Sequence, residues 1–183
     1  MERRDVLRAL GAAAAFTLMP RTAQAAWETV AAAPNSPPRV LTDDRSALVA
    51  SLADAIIPRT DTPSATDVNV TAFIDVIVAE YYSDEERTAF LAGLDLIAAR
   101  VKRGDMQSFA ELSAESQKTL LDALDQPADR QAPDARAWSR LKGLVVHGYF
   151  TSEQVQKDVL KTVIMPGRFD GNAPMKPAGA SHG

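Results

Sequence analysis

Between Val70 and Tyr81 the apolar side chains Val70, Phe73, Ile74, Ile77, Val78 and Tyr81 recur at i, i+3, i+4, i+7, i+8 and i+11 without a break. That period lines one face of an α-helix and does not suit a strand, whose side chains alternate every second residue. A stripe this wide is stable only when covered, so the chain must supply partner helices. Leu48, Leu52 and Ile56, with Val49 and Ile57 beside them, follow Thr42 as an N-cap and Asp43 and Asp44 in the first turn; Pro58 stops that helix. Asn69 or Thr71 then caps the Val70 helix, after the turn-rich loop "PRTDTPSATDVN".

Ser83-Asp84-Glu85-Glu86 has the form of a capping box, opening a helix with Phe90, Leu94, Ile97 and Val101 on one face and Leu91 and Ala98 alongside. Gly104 ends it after Lys102 and Arg103. A shorter helix from Ala114 to Leu124 turns Leu120, Leu121 and Leu124 inward. Asp134 is expected to cap the next one, which buries Trp138, Leu141, Leu144 and Val145 and breaks at Gly148. Thr151-Ser152-Glu153-Gln154 reads as a second capping box before a last helix carrying Val155, Val159 and Val163. No alternating strand is found, so the expected class is all-α: a single compact bundle of about five to six helices over 42–165, with an extended N-terminal arm and an irregular tail over 166–183.

The N-terminal end has a different logic. "MERRDVLRALGAAAAFTLMPRTAQA" combines Arg3, Arg4 and Arg8, an apolar run from Ala9 to Met19, Pro20, and the small-x-small site Ala23-Gln24-Ala25. The run of about eleven residues falls short of the roughly 20 that span a bilayer, and the parts together make an export signal over 1–25, cleaved after Ala25. The order Arg3-Arg4-Asp5-Val6-Leu7-Arg8 resembles a twin-arginine signal, the kind that carries proteins across already folded. Residues 26–41, with three prolines and no sustained period, read as a linker or arm; Trp27 could anchor it, although exposure is the commoner fate of such a residue.

Removal of 25 residues leaves 158, enough for one domain. The remainder has 16 Lys+Arg against 22 Asp+Glu, a net charge of −6, with no basic cluster for nucleic acid. Cysteine is absent, which excludes disulfides, iron–sulfur clusters, covalent c-type haem and thiolate zinc on this polypeptide. No GxGxxG or P-loop occurs, so flavin or nicotinamide binding by this chain is not expected.

Catalytic candidates are equally sparse. His182 is the penultimate residue, and His147, placed at a helix end beside Gly148-Tyr149-Phe150, reads as a cap for the last carbonyls. Asp61 reads as a turn-capping aspartate. The expectation is therefore no catalytic, cofactor-binding or metal residue. Candidate partner contacts are Arg59 and Asp61 in the loop after Pro58, the pair Tyr149-Phe150, and Phe169 in the 165–171 segment, because rigid loops and aromatics with few neighbours suit docking.

Five stretches and the leader carry a likeness: "LADAIIPRTDTPSATDVNVTAFID" (52–75), "ERTAFLAGLDLI" (86–97), "SFAELS" (108–113), "LKGLVVHGYFTSE" (141–153) and "MPGRFDG" (165–171). In this order the chain resembles subunit 3, the small subunit, of gluconate 2-dehydrogenase. The resemblance implies a large FAD-binding catalytic subunit as partner, a multihaem cytochrome c subunit beside it, and electrons passing from a sugar acid through flavin and haem to quinone. It also implies that the small subunit holds no cofactor, helps the flavoprotein mature and supplies its passage through the twin-arginine translocase into the periplasm, at the inner membrane. A free-standing periplasmic binding or structural protein, and a self-sufficient hydrolase using Asp61 or His147, are the competing readings.

Overall fold

The computed structural model describes residues 22–34, 36–102 and 108–161. Six α-helices occur among them: α1 (residues 22–32), α2 (Asp43–Ile56), α3 (Val70–Glu80), α4 (Asp84–Val101), α5 (Ala114–Asp125) and α6 (Pro133–Thr151). A 3₁₀ turn, Phe109–Glu111, precedes α5, and a π turn, Val155–Val159, follows α6. No strand is present among the described residues, and the class is all-α, as the periodicity requires.

Helix α6 is the hub, packing on α2, α3, α4 and α5. The core is built where the stripes meet: Val49 and Leu52 from α2, Phe73 and Ile74 from α3, Phe90 and Leu94 from α4, Leu141 and Val145 from α6. Each fully buried side chain of this size contributes roughly 1.5–3 kcal/mol. Two glycines allow the closest approaches. Gly93 lies against Ala137 and the Pro133 carbonyl, where α4 crosses the start of α6. A Cβ on Gly148 would come within 2.7 Å of the Phe73 ring, so Gly148 is a packing residue inside α6 and not the break expected of it; the helix runs on to Thr151.

The caps follow the sequence in part. Ser83 and Glu86 form the reciprocal capping box at α4, and Ser113 accepts the Ser116 amide at α5. Thr42 and Asn69 occupy the N-cap positions of α2 and α3 without a side-chain cap bond, and Asn69 adopts φ 58°. Asp134 is not a cap: α6 starts at Pro133 after Ala132, and the buried Asp134 carboxylate instead pairs with Arg100 of α4. Tyr81 leaves the α3 stripe and is exposed as its C-cap, while Tyr82 packs edge-on against Phe90 with Arg140 over its ring. The last helix is shorter than its valines suggest. Ser152, one residue later than expected, accepts the Val155 amide, and the turn closes at Leu160 before Lys161 at φ 47°. Gly104, Arg103 and Val163 lie outside the described residues.

The largest difference concerns residues 26–32. Composition assigns them to the arm, but they continue α1, with Ala23, Ala26 and Val30 buried. Trp27 stacks on Phe73 with ring centroids 5.0 Å apart and donates Nε1–H to Thr151 Oγ1 at 3.1 Å. A helix of three turns with alanine contacts has too weak a stripe to stand out by period alone.

The segment after α1 is tied down by one buried carboxylate. Asp75 accepts the backbone amides of Arg39 at 2.6 Å, Val40 at 3.0 Å and Leu41 at 2.9 Å. Asp75→Ala strands three donors, and is expected to cost about 2–3 kcal/mol, because unmade bonds to buried polar groups are expensive. Urea unfolding of the variant beside the parent checks this; an unchanged midpoint would show the strap is held some other way.

Candidate docking surface

Residues 57–69 form a loop that is long but braced. The Ala65 amide donates to the Ile57 carbonyl at 3.1 Å, and the Thr60 amide to Thr62 at 3.1 Å. Asp54, on the last turn of α2, accepts both the Thr66 amide at 2.9 Å and its hydroxyl at 2.6 Å. Asp67 receives the Ser64 amide at 2.8 Å and pairs with Arg59. A loop with this many internal bonds keeps its shape in water, which is what a docking edge needs. Asp61 is exposed and accepts only the Thr60 hydroxyl, at 3.0 Å, while the Thr62 amide is met by Thr60 Oγ1 at 3.4 Å, so the threonine and not the aspartate caps a backbone amide of this turn.

Tyr149 joins this loop to α6. Its hydroxyl donates to the Pro63 carbonyl at 2.9 Å, across 86 residues of sequence, and the residue is only 3% exposed. Tyr149 is therefore corrected from contact candidate to internal brace, since its ring and hydroxyl are both already used. Phe150 is the exposed member of the pair, 45% accessible, with its ring edge-on to Tyr149 at 5.3 Å. One turn earlier, Val146 is 43% exposed, and a turn before that Gly143 has nothing within 4 Å of where a Cβ would stand. Gly143, Val146 and Phe150 thus make a low apolar strip on the solvent side of α6, opposite Leu141, Leu144 and Val145.

The structure brings together the Arg59 loop and the end of α6, which the sequence offers as separate candidates. Val146 sits among inward-facing neighbours in the sequence, and its spacing of four to Phe150 is the one local signal of its outward position. The Tyr149–Pro63 bond has no sequence signature. Phe169, the 165–171 segment, His182, Arg3 and Arg4 lie outside the described residues, whereas Ala23 and Ala25 fall within α1.

His147 is not at a helix end. It lies inside α6, its ring 6.2 Å from Phe73, with a buried Nε2 that has no hydrogen-bond partner among the described residues. Burial pushes its pKa below the ordinary 6.5. The unfolded chain then binds a proton more readily than the folded one, so the stability contributed by neutral His147 is intact above about pH 6.5 and is lost as pH falls toward the folded value. His147→Leu is expected to flatten the stability profile between about pH 7 and 5 relative to the parent. Thermal unfolding at both ends of that range measures it, and equal slopes for the two proteins would refute it. Carboxylates held low by their partners, such as Asp125 beside Lys142 and Trp138, or Asp95 beside Arg45, lose their contribution only in a more acidic range.

Among the described residues no group of three or more His, Asp or Glu side chains could hold a metal ion, and no helix is long and apolar enough to cross a membrane. A family model described as gluconate 2-dehydrogenase subunit 3 matches residues 43–167, well over half of the chain. No curated protein and no solved structure matches it.

Proposed function

The chain belongs to the gluconate 2-dehydrogenase subunit 3 family, and from that premise we propose that it is the non-catalytic small subunit of a periplasmic FAD-dependent sugar-acid or sugar dehydrogenase, aiding the maturation and twin-arginine export of its flavoprotein. The observation that carries this reading is the family match over 43–167. The leader adds to it. A folded-export signal on a chain without cysteine, phosphate loop or placed histidine is most simply transport for a second protein, loaded with flavin in the cytoplasm and carried across in complex.

In this reading FAD sits on the large subunit, haem c on a third subunit where one is present, and this chain reaches the inner membrane through the complex. The large subunit docks on the braced loop around Arg59 and Asp61 and on the strip ending at Phe150. A stable interface buries on the order of 1,200–2,000 Å² in total, so these residues would form part of a wider contact that Phe169 extends.

Isolating the native protein under mild conditions and recording its spectrum tests the proposal. Flavin absorption near the blue should co-purify, with haem bands where the cytochrome is bound. A colourless monomer would favour the free-standing helical protein instead. Turnover by the isolated chain, abolished by Asp61→Asn or His147→Ala, would favour a self-sufficient enzyme. Phe150→Glu places a charge in the docking strip and is expected to reduce flavoprotein recovery at least about tenfold, the scale of a central contact, while leaving the melting temperature of the isolated chain unchanged. Full recovery would move the interface elsewhere on the bundle.

A further inference from the structure

The Ala25–Ala26 bond, where the leader's sequence places cleavage, lies inside α1. Ala23 is 1% exposed and Ala26 0%, both facing the core. The Ala25 carbonyl accepts the Thr29 hydroxyl at 3.0 Å, and Gln24 donates to Glu28 at 3.0 Å across the same bond. The next side chain, Trp27, is held by Phe73 and Thr151. The small residue at 23 thus has a second explanation: with Ala26 it is a contact through which a short helix approaches the bundle.

A peptidase needs its substrate extended and accessible, and in folded proteins cutting concentrates where backbone is exposed and unbonded. The Ala25–Ala26 bond meets neither condition unless α1 unwinds. A cut there would also leave a charged ammonium at the positive end of a helix dipole, which opposes it. A chain crossing the membrane unfolded would present this bond before α1 docks. A chain crossing folded would not.

We propose that the exported protein keeps residues 22–25 within α1, so that the Ala25–Ala26 bond is not the processing site of the folded chain and any new N-terminus lies ahead of Thr22. This rests on the twin-arginine export reading above.

The test is the N-terminus of the periplasmic protein, read by intact mass and N-terminal sequencing on the full-length chain carrying a C-terminal tag. The expected result is Met1 or a start ahead of Thr22; a periplasmic protein beginning at Ala26 overturns the proposal. Absence of the chain from the periplasm would instead count against the export reading. The purified full-length chain incubated with signal peptidase in detergent then decides the present point: the folded chain should resist cutting at 25–26, and Trp27→Ala, which frees α1, should be cut there about tenfold faster or more. Equal cutting of the two chains at that bond overturns the proposal.

Discussion

Under the proposed escort role, lysine at both Arg3 and Arg4 is expected to strand this subunit and the flavoprotein proposed as its partner together in the cytoplasm, taking periplasmic dehydrogenase activity to near background. The charge is unchanged by that substitution. What is lost is the planar, multi-donor guanidinium, which lysine's point charge does not replace where recognition depends on a fixed hydrogen-bonding fork. Fractionation with flavin fluorescence as the readout gives the answer directly. The informative partner is the flavoprotein: were it to reach the periplasm at the normal level while this subunit stayed behind, the escort role would be wrong, whatever the leader does for its own chain.

Phe73→Ala is the largest structural effect expected in the molecule. Phe73 is fully buried, stacks on Trp27 from α1, fills the space left by Gly148 and faces His147 on α6. Removing the ring opens a cavity shared by three helices, and such truncations cost about 3–5 kcal/mol. For a chain of this size that corresponds to a fall in melting temperature of roughly 10 °C. Trp27 loses its stacking partner at the same time, so tryptophan emission should move to longer wavelength. A loss below about 1 kcal/mol would mean that the neighbours collapse into the space, which the contact of Gly148 on the same ring argues against.

Helices α2 to α6 were legible because their signals are local: a stripe at helical spacing, and at some of them an acidic first turn or a serine cap with glutamate three residues on. Helix α1 was not, because its inward face is two alanines and a valine and its stability comes from Trp27 reaching residues 73 and 151. Gly148 was misread for a related reason. A glycine within a helical pattern marks either an end or a close contact, and only the position of Phe73 distinguishes them. Asp134 shows the same ambiguity for a carboxylate, since a helix start suits both a cap and a buried partner for Arg100. For the candidate docking surface the sequence offers the Arg59 loop and Phe150 as separate candidates. Their proximity depends on a hydroxyl–carbonyl bond spanning 86 residues, which no local pattern encodes.

The bond from Trp27 to Thr151 closes a loop of 124 residues. Contacts so distant along the chain form late, since the intervening segments must first be ordered. During synthesis, which proceeds at about 5–20 residues per second from the N-terminus, α1 has nothing to dock on until α3 and the end of α6 have both emerged. The first of the described helices is thus among the last to be seated, and its docking reports that the chain has been made as far as the end of α6.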